Sequence, residues 1–183
     1  MKRLLNCCLL LFAFTVFGQK FGYIDSDMIM KKMPDYQKAQ QELDKLTTKW
    51  QKEIEAQKKS LDDLKAKFAA EEVLLTEEMK KQRLDTISAR EVAMRENQKK
   101  IFGYEGLFFL KKQELIKPIQ DKVFEAVEKV AKKNQLQIVF DKAADLVMIY
   151  TNPIHDYSDY VLDELGLGDK NDKPDNERYN NKY

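Results

Sequence analysis

Between positions 35 and 110 the apolar residues recur at three- and four-residue steps. Leu43, Leu46, Trp50, Ile54, Leu61, Leu64 and Phe68 trace a single stripe, which is the periodicity of one helix face. Ile87, Met94, Ile101 and Phe108 then return every seven residues, the spacing of a coiled-coil seam. Between the two stripes the register is disturbed by Val73-Leu74-Leu75, the only apolar cluster in the middle of the run. That neighbourhood is expected to be the tip of a helical hairpin, running out from Tyr36 to about Glu72 and back from about Thr76 to Lys112. An unbroken helix that dimerises with a second chain is the alternative, and the matching limb lengths favour the hairpin.

Shorter periods flank this region. Phe21-Gly22-Tyr23-Ile24-Asp25 is a brief apolar and aromatic run that predicts a strand. Ser26 or Asp27 is expected to cap a short helix carrying Met28, Ile29, Met30 and Met33, which stops near Pro34. After Pro118 an amphipathic helix is expected from Ile119 to about Lys133, burying Val123, Phe124, Val127 and Val130. Lys129, Lys132 and Lys133 sit at the negative end of its dipole, and Asn134 is placed to cap it. Gln137 to Phe140 and Leu146 to Thr151 read as two strands of a hairpin with a longer loop. A polar connection and a final helix, Tyr160 to Leu165, follow.

The predicted architecture is α+β: a small β-body with a long antiparallel α-helical coiled-coil arm inserted into it. Residues 19–34 and 113–166 would form the body, 35–112 the arm, and 167–183 a disordered polar tail.

Composition sharpens the arm. Residues 35 to 102 contain no glycine or proline, and 29 of these 68 positions are charged, 15 Lys/Arg against 14 Asp/Glu. A run without that punctuation reads as helix long enough to leave a globule. Over the whole 183-residue chain 34% of positions are charged, so the compact core must be small.

At the N-terminus, Lys2 and Arg3 precede an apolar stretch from Leu4 to Phe17, and Val16-Phe17-Gly18 offers a cleavage site before Gln19. Residues 1–18 are thus expected to be a secretory signal, too short for an ordinary membrane span. Cys7 and Cys8 lie inside its apolar region, so a lipoprotein is not expected. The mature chain keeps no cysteine, and loss of Lys2 and Arg3 leaves 30 basic against 31 acidic residues. A near-neutral chain makes no electrostatic case for nucleic acid.

Catalytic signals are sparse. His155 is the single histidine, and its neighbours Asp156 and Asp159 make a three-ligand metal patch only the minority reading beside ordinary capping. No phosphate loop, GxSxG or HExxH pattern occurs, so neither an enzyme nor a cofactor is expected. Lys80, Lys81 and Arg83 lie among Glu77, Glu78 and Asp85 and read as helix-surface charge, with transient contact with anionic membrane lipids as the alternative. Gly103 and Gly106 interrupt the returning limb; in a helix interior each would cost about 1 kcal/mol, so they mark either a hinge or a close packing point. The arm's apolar residues suffice for a thin seam and leave adaptable patches, some of them methionine-containing.

Several segments resemble the Skp/OmpH family of periplasmic chaperones: the opening Phe21-Gly22-Tyr23-Ile24-Asp25-Ser26, then Met33-Pro34-Asp35-Tyr36, Pro118-Ile119, Val127 to Ala131, Ile138-Val139-Phe140-Asp141, Val147-Met148-Ile149-Tyr150, and Asp156-Tyr157-Ser158-Asp159-Tyr160-Val161-Leu162. The resemblance spans the mature chain except the tail. It implies a jellyfish-like homotrimer, with strands of three subunits forming a β-body and three arms enclosing a cavity. Unfolded outer-membrane proteins would be held there without ATP. Phe21, Tyr23, Ile138, Phe140, Met148 and Tyr150 are the expected trimer interface, and Trp50, Phe68, Leu74, Leu75, Met79 and Met94 the expected client-facing arm residues. The well-known members are strongly basic, whereas this chain is near neutral. A periplasmic coiled-coil adaptor that binds one folded partner at the arm tip is the competing reading.

Overall fold

The computed structural model of the chain describes residues 19–144 and 147–168. The expected signal and all but the first two residues of the expected tail lie outside the described residues. The elements are β1 (Phe21–Ile24), α1 (Ser26–Lys32), α2 (Pro34–Glu71), a 3-10 turn at Glu72–Leu74, α3 (Glu77–Phe102), α4 (Leu107–Asn134), β2 (Ile138–Asp141), a second 3-10 turn at Pro153–His155 and α5 (Ser158–Glu164). The α+β expectation, a small strand unit with a long antiparallel helical hairpin, describes this fold. The described residues divide into two compact units: residues 33–121 form one, and the described residues on either side of them the other.

In the flanking unit β1 and β2 pair in parallel, Phe21 beside Ile138 and Tyr23 beside Phe140. Parallel strands need a long crossover, and here residues 25–137 supply it. Asp25 begins the crossover: its carboxylate accepts from the Met28 N–H at 2.9 Å and its carbonyl from the Ile29 N–H at 3.0 Å. The cap of α1 is therefore Asp25, not Ser26 or Asp27. Ser26 instead donates its hydroxyl to Asp141 at 2.6 Å and its N–H to the same carboxylate at 3.1 Å. These bonds tie the start of α1 to the end of β2. α1 packs against α5, and Ile29, Val161 and Leu162 are the most deeply buried apolar side chains.

The expected second strand does not form. Residues 147–151 carry no strand, and the sheet has two members, β1 and β2. Val147, Ile149 and Tyr150 are instead exposed. A second difference is α4, which runs unbroken through Pro118 from Leu107 rather than starting after it. A proline removes one donor to the carbonyl four residues earlier, here that of Glu114; 28 helical residues absorb that loss. At its end Gln135 takes a left-handed φ of 59°. The Leu136 N–H then reaches the Ala131 carbonyl at 2.9 Å, a Schellman closure.

In the unit of residues 33–121, α2 and α3 run antiparallel. Glu71 meets Arg83 at 3.7 Å, Lys65 meets Glu91 at 3.5 Å, and Gln57 meets Asn97 at 3.2 Å. Trp50 then meets Phe102 edge to face at 6.3 Å, and Glu42 meets Lys111 at 3.6 Å. Leu43 and Leu61 are buried on α2, Ile87 and Ile101 on α3. The reversal uses neither glycine nor proline. A 3-10 turn closes α2, Leu75 takes an extended backbone, and the Thr76 hydroxyl accepts from the Met79 N–H at 3.3 Å. Glu77 and Glu78 then occupy the first turn of α3, where carboxylates suit the positive end of the dipole.

Candidate interaction surfaces

Neighbours in a strand alternate faces, so the parallel register sets Phe21, Tyr23, Ile138 and Phe140 on one side of the β1–β2 pair. Phe21, Tyr23 and Phe140, together with Met148 and Tyr150, line one cavity of about 370 Å³. Five of the six residues expected at the trimer interface thus meet at one place, while Ile138 lies at the edge of the same face. Tyr23 is buried within its own unit, whereas Phe21 and Ile138 are each about half exposed, at 50% and 49%.

The cavity wall is completed by His155, whose ring lies 4.6 Å from that of Phe21 at 32°. Asp156 accepts from the Ser158 N–H at 2.9 Å and so starts α5. Among the described residues no group of three or more His, Cys, Asp and Glu side chains is gathered in a way that would hold a metal. On the other side of β1 the Tyr157 N–H donates to the Tyr23 carbonyl at 2.9 Å. The Tyr157 ring lies close over Gly22, leaving no room there for a Cβ. Burial raises the Tyr157 phenol above its usual value, consistent with a ring wedged against the strand.

The hairpin carries the second set of expected residues, and they do not converge. Trp50 packs on Phe102, and Phe68 and Met94 are half-buried along the seam. Leu74 is 82% exposed at the tip beside Val73 at 89%, with Leu75 half-buried below them and Met79 exposed at the start of α3. Of the basic residues near the tip, Lys80 pairs with Glu77 at 2.9 Å and Arg83 with Glu71. Hydrogen bonding to Glu77 and its charge push the Lys80 ammonium above its usual range.

Gly103 and Gly106 lie outside any helix interior, between the end of α3 and the start of α4. A Cβ on Gly103 would strike the Lys99 carbonyl, and one on Gly106 would come within 2.7 Å of the Ile101 carbonyl. At both glycines the nearest atoms to an added Cβ belong to the end of α3 and the turn after it, and Glu105 between them holds a left-handed φ of 51°. Around this break Phe102 and Phe108 stack at 6.1 Å, while Tyr104 stands 95% exposed. Gly103 and Gly106 themselves marked this interruption in the sequence. Thr76, expected at the start of the returning limb, caps α3, and a threonine followed by two glutamates is a helix-start signal.

The family model for outer membrane protein (OmpH-like) matches residues 20–165. An uncharacterised protein of Aquifex aeolicus (strain VF5) is 32% identical over 149 residues, covering 81% of this chain and 87% of the relative. A crystal structure of a candidate OmpH-like outer membrane chaperone from Caulobacter crescentus CB15 superposes with a TM-score of 0.61. It is 15% identical and covers 85% of this chain and 90% of its own. At that identity the likeness concerns the fold.

Proposed function

The chain belongs to the OmpH-like outer membrane protein family, and from that we propose that it is an ATP-independent periplasmic holdase. In this reading residues 1–18 direct export and are removed. Three copies associate through the face bearing Phe21, Ile138, Phe140, Met148 and Tyr150, and their hairpins enclose unfolded outer-membrane protein precursors.

The observation that carries the reading is the unfilled apolar face of the strand unit. Val147, Ile149 and Tyr150 are 84%, 97% and 81% exposed beside a cavity lined by aromatic residues. Monomeric proteins rarely leave such segments open, and an unpartnered strand-forming stretch invites pairing. The thin seam of the hairpin, bordered by charge, suits a wall that contacts a client without collapsing onto it. The test is aggregation of a urea-diluted β-barrel precursor at one trimer per client. Suppression without ATP is expected; full aggregation in excess chaperone sinks the reading.

The exposed pair Val73 and Leu74 favours a second reading, an adaptor whose tip grips one folded partner. Co-purification distinguishes the two, since an adaptor returns one stoichiometric folded protein and a holdase a mixture of outer-membrane proteins.

A further inference from the structure

With residues 1–18 removed, the strand unit begins at Gln19. Val16 and Gly18 fit the small-residue pattern of a cleavage site, so the cut between Gly18 and Gln19 leaves a glutamine as the amino terminus. The fold fixes where that terminus sits. The Gln137 N–H donates to the Lys20 carbonyl at 2.7 Å, and the Lys142 N–H to the Ile24 carbonyl at 2.7 Å. Backbone bonds thus bracket β1 at both ends, and the first of these ties falls one residue after Gln19. Gln19 and Lys20 are both exposed. Two residues beyond Gln19, Phe21 stacks on His155 at 4.6 Å and lines the aromatic cavity of about 370 Å³.

We propose that Gln19 closes on itself into pyroglutamate, so that the mature chain carries a neutral lactam at its amino terminus. The proposal rests on the export reading above, because only removal of residues 1–18 frees the amine. The α-nitrogen lone pair attacks the carbon of the side-chain amide. A new C–N bond forms, the old amide C–N bond breaks, and ammonia leaves with the displaced nitrogen. No oxidant, reductant or co-reactant is consumed. An α-amine titrates near neutrality, unlike a lysine ammonium, so part of it is the free nucleophile. Amine and carbonyl belong to one residue, which makes the attack intramolecular. Closure needs a side chain that is free of the sheet, and the exposed position ahead of the Lys20 tie provides it. An open terminus would set an ammonium next to that of Lys20, two residues from Phe21. In the proposed trimer such like charges would gather at the edge of the association face and lose water, both of which oppose association. The lactam removes one charge per chain and leaves Lys20.

The test is intact-mass and terminal-peptide analysis of the full chain, made with its own signal and recovered from the periplasm of a bacterial host. The expected mass is that of residues 19–183 less one ammonia, and a pyroglutamyl peptidase should remove the first residue. Gln19→Asn is the control, since it keeps the amide but is one carbon too short to close the ring. It should retain its full mass and need a several-fold higher chain concentration to stay associated in light scattering, with unchanged helix content by circular dichroism. A free Gln19 amine that persists through prolonged incubation at neutral pH overturns the proposal and leaves the export reading intact. A mature chain that begins at another residue overturns both. Equal association of Gln19→Asn and a cyclised parent denies the ring its part at the association face.

Discussion

The Asn97 side-chain amide donates to the Gln57 amide oxygen at 3.2 Å, linking α2 to α3 midway along the hairpin. The seven-residue spacing that contains Trp50 and Leu64 places Gln57 at a seam position, where an apolar residue is the rule. A polar pair in a seam trades stability for a defined register. Replacing both residues by leucine should raise hairpin stability by about 1–2 kcal/mol, seen as a higher melting temperature. The same variant should lose uniformity, giving a broader mass distribution by light scattering. An unchanged, sharp distribution would deny the pair its register role.

The turn between α3 and α4 answers to different forces. Glu105 holds its left-handed backbone against a steric cost of about 1–2 kcal/mol, so Glu105→Gly should stabilise the protein by about 1 kcal/mol. Gly103→Ala should destabilise it by about 1–3 kcal/mol, the usual cost of forcing atoms into filled space. Chemical denaturation measures both. A stabilising Gly103→Ala would mean that α3 and α4 can merge into one helix, and that the break is an alternative state.

The antiparallel hairpin was legible because its information is local: Ile87 and Ile101 repeat every seven residues and both are buried. What lay beyond reading was whatever depended on distant partners. Val147 to Thr151 has the composition of a strand, yet strand preference expresses packing against neighbours, and no strand partner is supplied among the described residues. The pairing of Phe21 with Ile138 joins segments separated by the whole helical excursion, and no turn signal announces a parallel ladder. Pro118 misled for the opposite reason. A strong local breaker yields when the helix around it is long and buries Ile116, Ile119 and Val123.

Glu91 makes the hairpin sensitive to acid. It accepts from Arg95 on its own helix at 2.8 Å and faces Lys65 of α2 at 3.5 Å. The hydrogen bond from Arg95, then the charge of Lys65, hold its carboxyl below the ordinary glutamate value. A depressed folded-state value means that the stabilisation is complete above the unfolded glutamate range. It is lost as pH falls through the lowered value. Wild type should therefore melt above Glu91→Gln at pH 7 by a small margin, because both partners are open to solvent. The margin should shrink and then vanish as pH falls below the ordinary glutamate range, and thermal melts from neutral to acid pH measure it. A margin that does not change with pH would assign the effect of the substitution to packing.

Tyr150 and Phe21 offer the most direct handle on assembly. Both line the cavity of the strand unit, and Tyr150 is 81% exposed while Phe21 stacks on His155. Neither contributes much to the core of a single chain, whose most deeply buried members are Ile29, Val161 and Leu162. Tyr150→Asp should therefore leave melting of an isolated chain almost unchanged while placing a charge where a second copy would bury it, at a penalty of several kcal/mol. Light scattering should report a trimer for the parent and a monomer for the variant, with equal helix content in both. Ile29→Ala gives the contrast, costing about 2–5 kcal/mol of fold stability while leaving the association face intact. If Tyr150→Asp remains trimeric, assembly runs through another surface, and the cavity between Phe21 and Tyr150 is not where the copies meet.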